Sequence, residues 1–329
     1  MNVHKIFCVF ATVALLGTGC TKTLPTVLES TQYGVSLTPE AFDGPSFERF
    51  MAMVPEAGGV LSWAGEGMEL AKEKSAASVV IGLSKQRTWA PVIVAGAKAS
   101  ILTDKLKRTI LQDAIVDFAR REQPPYLGVG NEINFSYTSG VDRIAMVDFF
   151  KETYRKIKEA SPKTRVFPIF QLEWMKGLKG GLFGGEDDLA SAEWDLIGRF
   201  PDADLVAFTT YPALAFKSPS DIPVDYYSEI AKHTNKPVAF TEIGWFRVGP
   251  KAAGWESSPE EQAEFVKRIP PLIESTKPTF VIWPFLFDQA IGPPFEHMGL
   301  LPPTSSTTPG WEAWKGIAQP SLDNSDEQR

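Results

Sequence analysis

Short runs of β-branched and aromatic residues alternate along the chain with stretches whose apolar positions recur at helical spacing. The runs at 33–37, 59–63, 92–95, 126–130, 165–170, 205–210, 238–242 and 280–285 predict eight strands. Their starts lie roughly 25–42 residues apart, the interval expected of strand–helix units around a parallel sheet. Between them, 103–121 sets Leu106, Ile110, Ala114 and Phe118 four residues apart, and 141–160 carries Ile144, Val147, Phe150, Tyr154 and Ile157 along one face. Ser258-Pro259-Glu260-Glu261 is a capping box with proline at the first helical position, opening a helix to about residue 274. Weaker helical patterns lie at 46–54, 67–86, 189–199, 224–233 and 311–317.

No long linker, low-complexity block or internal repeat interrupts this alternation. The pattern therefore predicts an α/β fold of one domain, a (β/α)8 TIM barrel over residues 33–318. An open doubly wound sheet is the competing architecture. It brings a glycine-rich phosphate loop after an early strand, and neither that spacing nor a Walker pattern occurs. Gly177, Gly180, Gly181, Gly184 and Gly185 cluster after the fifth strand and read as a loop at the barrel rim.

Composition narrows the function classes. With 43% hydrophobic and 22% charged residues the chain is neither disordered nor collagen-like. Its 33 basic and 40 acidic residues give a formal charge of −7 without basic runs, so nucleic acid is excluded as a partner. Of three histidines, His4 lies at the N-terminus; His233 and His297 are too few for a multi-histidine metal centre. Both cysteines, Cys8 and Cys20, are N-terminal. The apolar run 6–16, about 11 residues behind Lys5, is too short to span a bilayer and has the length of a signal-peptide core. Gly17-Thr18-Gly19-Cys20 resembles the bacterial lipoprotein cleavage box, with glycine where that box usually has leucine. The expected organisation is a signal peptide over 1–19, a tether over 20–32 lipidated at Cys20, the barrel over 33–318 and a flexible tail over 319–329. Such a chain is exported, held at the cell envelope by its lipid or otherwise secreted, and monomeric.

In a barrel of this kind the chemistry lies where strands end at the C-terminal face. The fourth strand ends Leu127-Gly128-Val129-Gly130-Asn131-Glu132 and the seventh Val238-Ala239-Phe240-Thr241-Glu242, so each delivers a glutamate to the same rim. Two carboxylates facing across a cleft can cleave a glycosidic bond: one donates a proton to the leaving oxygen, the other attacks the anomeric carbon or activates water. A separation of about 5–5.5 Å would mean retention and about 6.5–9.5 Å inversion.

The stretches Val129-Gly130-Asn131-Glu132-Ile133-Asn134 and Thr241-Glu242-Ile243-Gly244-Trp245 resemble the signature of the retaining clan A glycoside hydrolases, and are most similar to the endo-β-1,4-galactanase and endo-β-1,3-glucanase families. The resemblance implies Glu132 as acid/base, Glu242 as nucleophile and Asn131 as partner of the sugar 2-hydroxyl. It also implies Tyr211 as the group holding the nucleophile and Trp283 as the floor of the cleavage subsite. One departure is that many clan members carry an arginine near the end of strand two, where this chain has Leu61-Ser62-Trp63-Ala64-Gly65-Glu66.

Trp63, Trp174 and Trp245, at or beyond strand ends, are candidates to line sugar subsites, and His297 is a candidate sugar contact. Glu173, Glu66 and Glu69 read as solvated rim charges, and Trp89, Trp194, Trp255, Trp311 and Trp314 as structural. The expected function is a glycoside hydrolase acting on a β-linked polysaccharide or oligosaccharide without cofactor or metal. The alternative is a carbohydrate-binding lipoprotein that keeps the barrel and lacks catalysis.

Overall fold

A computed structural model describes residues 30–250 and 254–319. The signal peptide, Cys20, most of the tether and nearly all of the tail lie outside the described residues. Nine parallel strands form one sheet: β1 (Gln32–Ser36), β2 (Val60–Glu66), β3 (Ala90–Gly96), β4 (Tyr126–Val129), β5 (Arg165–Phe167), β6 (Ile169–Gln171), β7 (Val206–Thr210), β8 (Val238–Ile243) and β9 (Phe280–Trp283). Their order is β5-β4-β3-β2-β1-β9-β8-β7-β6. The two end strands are halves of one predicted strand, 165–170, divided at Pro168. Proline has no N–H to give to a ladder. β5 therefore pairs with β4 and β6 with β7, while the Pro168 carbonyl accepts from Ala207 N at 3.1 Å. That bent strand serves both edges and closes an eight-unit (β/α)8 barrel.

Two packed regions follow from the alternation of strand side chains. Val60, Val92, Tyr126, Phe167, Ile169, Ala207, Ala239 and Ile282 belong to a cluster drawn almost wholly from strands, the barrel interior. Their sequence neighbours, such as Leu61, Ile93, Leu127, Phe208, Phe240 and Val281, pack with helix residues in the outer cluster.

The helices are α1 (Gly44–Met53), α2 (Ala76–Arg87), α3 (Ala99–Leu102), α4 (Lys105–Glu122), α5 (Ile133–Ser136), α6 (Gly140–Ala160), α7 (Leu172–Met175), α8 (Pro259–Ile273) and α9 (Pro309–Ala318). Ser258 caps α8 by accepting from Glu261 N at 3.2 Å, with Pro259 at the first helical position. Elsewhere the structure corrects the expected pattern. The span 67–86 divides into a 3-10 turn and α2, because Ser75 starts a new helix by accepting from Ser78 N. The spans 189–199 and 224–233 hold only short 3-10 segments. In α4, Leu106 and Ile110 are 70% and 46% exposed, while Leu111, Ile115, Phe118 and Ala119 are buried. A strict four-residue row turns about 40° per step away from the 3.6-residue repeat, so its first members leave the packed face. On α6 the first steps are of three residues, each about 60° short of a full turn, so the row rotates the other way and Ile144 is exposed while Phe150 and Ile157 are buried.

Candidate active site

Strand β4 runs into its catalytic candidates through two left-handed residues. Gly130 has φ 83° and Glu132 φ 49°, ψ 52°. At Gly130 the positive φ favours glycine, and a Cβ would also press on Met146 Cε at 2.5 Å and the Ile133 side chain at 3.1 Å. The Glu132 carbonyl accepts from Phe135 N and Ser136 N at 2.9 and 2.7 Å, so α5 begins at the glutamate itself. A glutamate held in the left-handed region carries backbone strain of the sort concentrated at functional sites. Glu132→Asn, a residue that tolerates this conformation, is expected to raise the unfolding free energy by about 1 kcal/mol while removing the carboxyl group. Denaturant unfolding checks this; a less stable variant would show that the backbone is unstrained.

Strand β8 reaches its glutamate by a different device. Phe208 of β7 pairs with Phe240, but Thr209 pairs with Glu242, so Thr241 is an extra residue. Ala239 faces the interior and Phe240 the helices. Unbroken alternation would send Glu242 outward beside Phe240. The bulge resets the parity and puts Glu242 level with the inward Thr209.

The two carboxylates meet around β7. Thr209 Oγ1 donates to Glu132 Oε1 at 2.7 Å. The Tyr211 hydroxyl donates to Glu242 Oε2. Since neighbouring strands lie about 4.8 Å apart, Glu132 reaches to within about one strand spacing of β8, which carries Glu242. Both glutamates are partly buried. Burial, then the charge of Glu132, pushes Glu242 up to about 7, opposed by the Tyr211 hydrogen bond. Burial also raises Glu132, while Thr209 pulls it down and the charge of Glu173 raises it further. Burial beside Glu242 and Glu132 holds the Tyr211 phenol well above its ordinary value, so it stays a donor. Near neutral pH such a pair keeps one proton between its members. Each carboxyl thus has its own hydroxyl donor, which favours its ionised form and opposes burial.

A cleft of about 490 Å³ reaches Glu242 and is lined by Gly65, Glu66, Glu69, Gly96, Lys98, Asn131 and Ser136 among others; Glu132, next to Asn131, is not in its lining. Glu66 pairs with Lys98 at 2.9 Å on its rim. Asn131 Oδ1 is a buried acceptor with no partner among the described residues. A larger hollow of about 880 Å³ follows α6 and Asp202 and includes none of these groups. Among the described residues no group of three or more His, Cys, Asp or Glu side chains could hold a metal ion.

The tryptophans separate. Trp174 is partly exposed, edge-on to Phe135 at 5.1 Å. Trp283 is fully buried on the helix side of β9, against Trp314 and Phe265, and donates to Met298 O at 2.9 Å. It therefore does not floor the cleft. Trp63 and Trp245 lie in the same outer core, 8% and 1% exposed, and do not line the cleft either. His297 faces Asp288, at 3.3 Å from Nδ1, in a rim cluster with Arg247. Glu173, expected as a solvated charge, is completely buried. The sequence reading also missed Thr209 and the bulge at Thr241. A hydroxyl residue two before Tyr211 on a strand already assigned to the rim was the available signal for Thr209.

Neither the family models nor the curated proteins gave a match to this chain. Solved structures did. A family 39 glycoside hydrolase from Bacteroides cellulosilyticus WH2 is similar over 90% of this chain and 65% of its own, with TM-score 0.61 and 18% identity. A Bacteroides uniformis β-glucuronidase 2, covalently bound to cyclophellitol-6-carboxylate aziridine, matches 89% of this chain and 35% of its own, with TM-score 0.65 and 11% identity. The exo-β-1,4-mannosidase Op5Man5 from Opitutaceae bacterium strain TAV5 matches 88% and 59%, with TM-score 0.61 and 12% identity. The chain thus spans between about a third and two thirds of these neighbours' lengths. At such low identity the likeness establishes a shared fold: this chain is built on the barrel found in glycoside hydrolases, and none of the three named structures is a galactanase or a glucanase.

Proposed function

We propose that the chain is a retaining glycoside hydrolase of β-linked polysaccharides or oligosaccharides. The observation that carries this reading is the meeting of Glu132 and Glu242 at the end of β7, each held by its own hydroxyl donor and each raised by burial. In the first step a Glu242 oxygen attacks the anomeric carbon and forms an ester, the bond to the leaving oxygen breaks, and the Glu132 proton passes to that oxygen. In the second, Glu132 takes a proton from water, the water oxygen attacks the anomeric carbon, and the ester bond to Glu242 breaks. No cofactor enters either step. The unpaired Asn131 Oδ1 would accept from a sugar hydroxyl in the cleft. Trp174, beside Phe135 just beyond the acid, would contact the leaving-group side.

The same reading places the protein outside the cytoplasm, tethered by a lipid on Cys20 and working as a monomer. The activities named for the structural neighbours support glycoside hydrolysis in general; galactan and glucan remain suggestions of the sequence motifs alone. The test is a screen of β-glycans for reducing-end release, followed by proton NMR of the first-formed anomer. The reading expects hydrolysis with the β-anomer appearing first. The α-anomer first would mean inversion. Binding without release over about pH 4–9 would favour the non-catalytic alternative.

A further inference from the structure

We propose that Glu173 is a positioning residue for the nucleophile, acting on it through Tyr211; this rests on the glycosidase reading above. Glu173 stands at the start of α7, directly after β6, and no part of it reaches solvent. Its Oε1 accepts from Thr210 Oγ1 at 2.7 Å and from the Tyr226 hydroxyl at 2.8 Å. Its Oε2 accepts from Tyr211 N at 3.1 Å and from the Gln171 side-chain amide. Four donors fill the four lone-pair positions of a carboxylate. Among the described residues none of its hydrogen-bond partners is a cation. Burial pushes this carboxyl above its ordinary range while its hydrogen bonds from Thr210, Tyr211 and Tyr226 pull it back, and buried titratable groups of this kind concentrate at functional sites.

The donors come from the end of β6, the end of β7 and the segment around Tyr226. Glu173 therefore ties together three parts of the rim, and two of its four bonds go to Thr210 and the backbone of Tyr211. The Tyr211 ring, fixed on another side by an edge contact with Phe295 at 5.1 Å, extends from that backbone to donate to Glu242. With no arginine at the end of β2, the orientation of Glu242 is carried by this line from Glu173 through Tyr211.

The test is a double-mutant cycle on a β-glycoside that the wild-type protein hydrolyses. Glu173→Leu is expected to lower kcat by about 10–100-fold, the loss of a buried hydrogen-bonded anchor, with KM changed less than about threefold. Tyr211→Phe is expected to lower kcat comparably. If Glu173 acts through Tyr211, adding Glu173→Leu to Tyr211→Phe costs less than about threefold more, because coupled sites are not additive. Losses that multiply in the double variant, or an unchanged kcat in Glu173→Leu, overturn the proposal. Should Glu173→Leu fail to fold, Glu173→Asp keeps the charge, withdraws it by one methylene from Tyr211 N, and is judged by the same cycle. Hydrolysis by the wild type with additive losses would overturn this role alone; no hydrolysis by the wild type would overturn the glycosidase reading beneath it.

Discussion

Glu242→Ala is expected to lower kcat/KM on a β-glycoside by about ten-thousand-fold or more, while the protein remains folded. In the proposed mechanism the side chain supplies the electron pair that replaces the leaving oxygen, and Glu242 is the carboxylate level with Thr209 on the inner face of β8. Glu132→Ala should fail differently. Substrates with a poor leaving group lose both steps, because the same carboxyl gives and then takes the proton. Substrates with an activated aryl leaving group lose mainly the second step, and added azide, which needs no general base, should restore their turnover. Steady-state kinetics with the two substrate types separates the roles. Rescue that yields the α-glycosyl azide from Glu132→Ala and the β-glycosyl azide from Glu242→Ala would exchange the two assignments, because azide in place of the nucleophile inverts the anomeric centre and azide in place of the base-activated water leaves it retained. Wild-type rates in either variant would exclude its residue from the chemistry.

The second large effect is a fall in both rate and stability on the alkaline side. Activity needs one proton on the pair, so the rate declines at low pH as the second carboxylate protonates and again above about 7 as the pair loses its last proton. Stability moves with the same titration. Glu242 is raised in the folded protein, to about 7 from an ordinary 4.5. Folded protein therefore holds its proton more tightly than unfolded chain does. The stabilisation is complete below about pH 4.5 and is lost as pH rises through 7, amounting to about 2 kcal/mol after allowance for the solvent that reaches the cleft. Glu242→Gln removes this loss. Between about pH 5 and 8 the wild-type Tm should fall relative to that of the variant by several degrees. Thermal unfolding of both proteins across this range is the measurement; parallel curves would show that Glu242 is not raised by burial.

Much of this architecture could be read from the chain because the barrel strands are buried on both faces. Runs such as Ala90–Gly96 and Val206–Thr210 are continuously apolar or small, and their regular spacing set the fold. The carboxylates were legible because Glu132 and Glu242 interrupt such runs at their C-terminal ends. The same double burial hid what alternation would otherwise reveal. A tryptophan at 63 or 283 fits equally well inside or outside an all-apolar strand, and both proved to face the helices. The bulge at Thr241 left no mark in Val238–Ile243, yet it decides which way Glu242 points. Glu173 looked like a surface charge because its four donors come from residues as distant in sequence as Tyr226. The helical patterns at 189–199 and 224–233 did not hold: both spans contain only short 3-10 segments.

Labelling with an activated 2-deoxy-2-fluoro β-glycoside tests the central claim most directly. Fluorine at C2 slows both steps, and the activated leaving group lets the first one proceed, so the ester accumulates. The account predicts one added sugar per chain, recovered by mass spectrometry on the peptide that contains Glu242, with labelling abolished in Glu242→Ala. A sugar recovered on Glu132, on Glu173 or on any other residue, from a protein that turns over the parent glycoside, would contradict it.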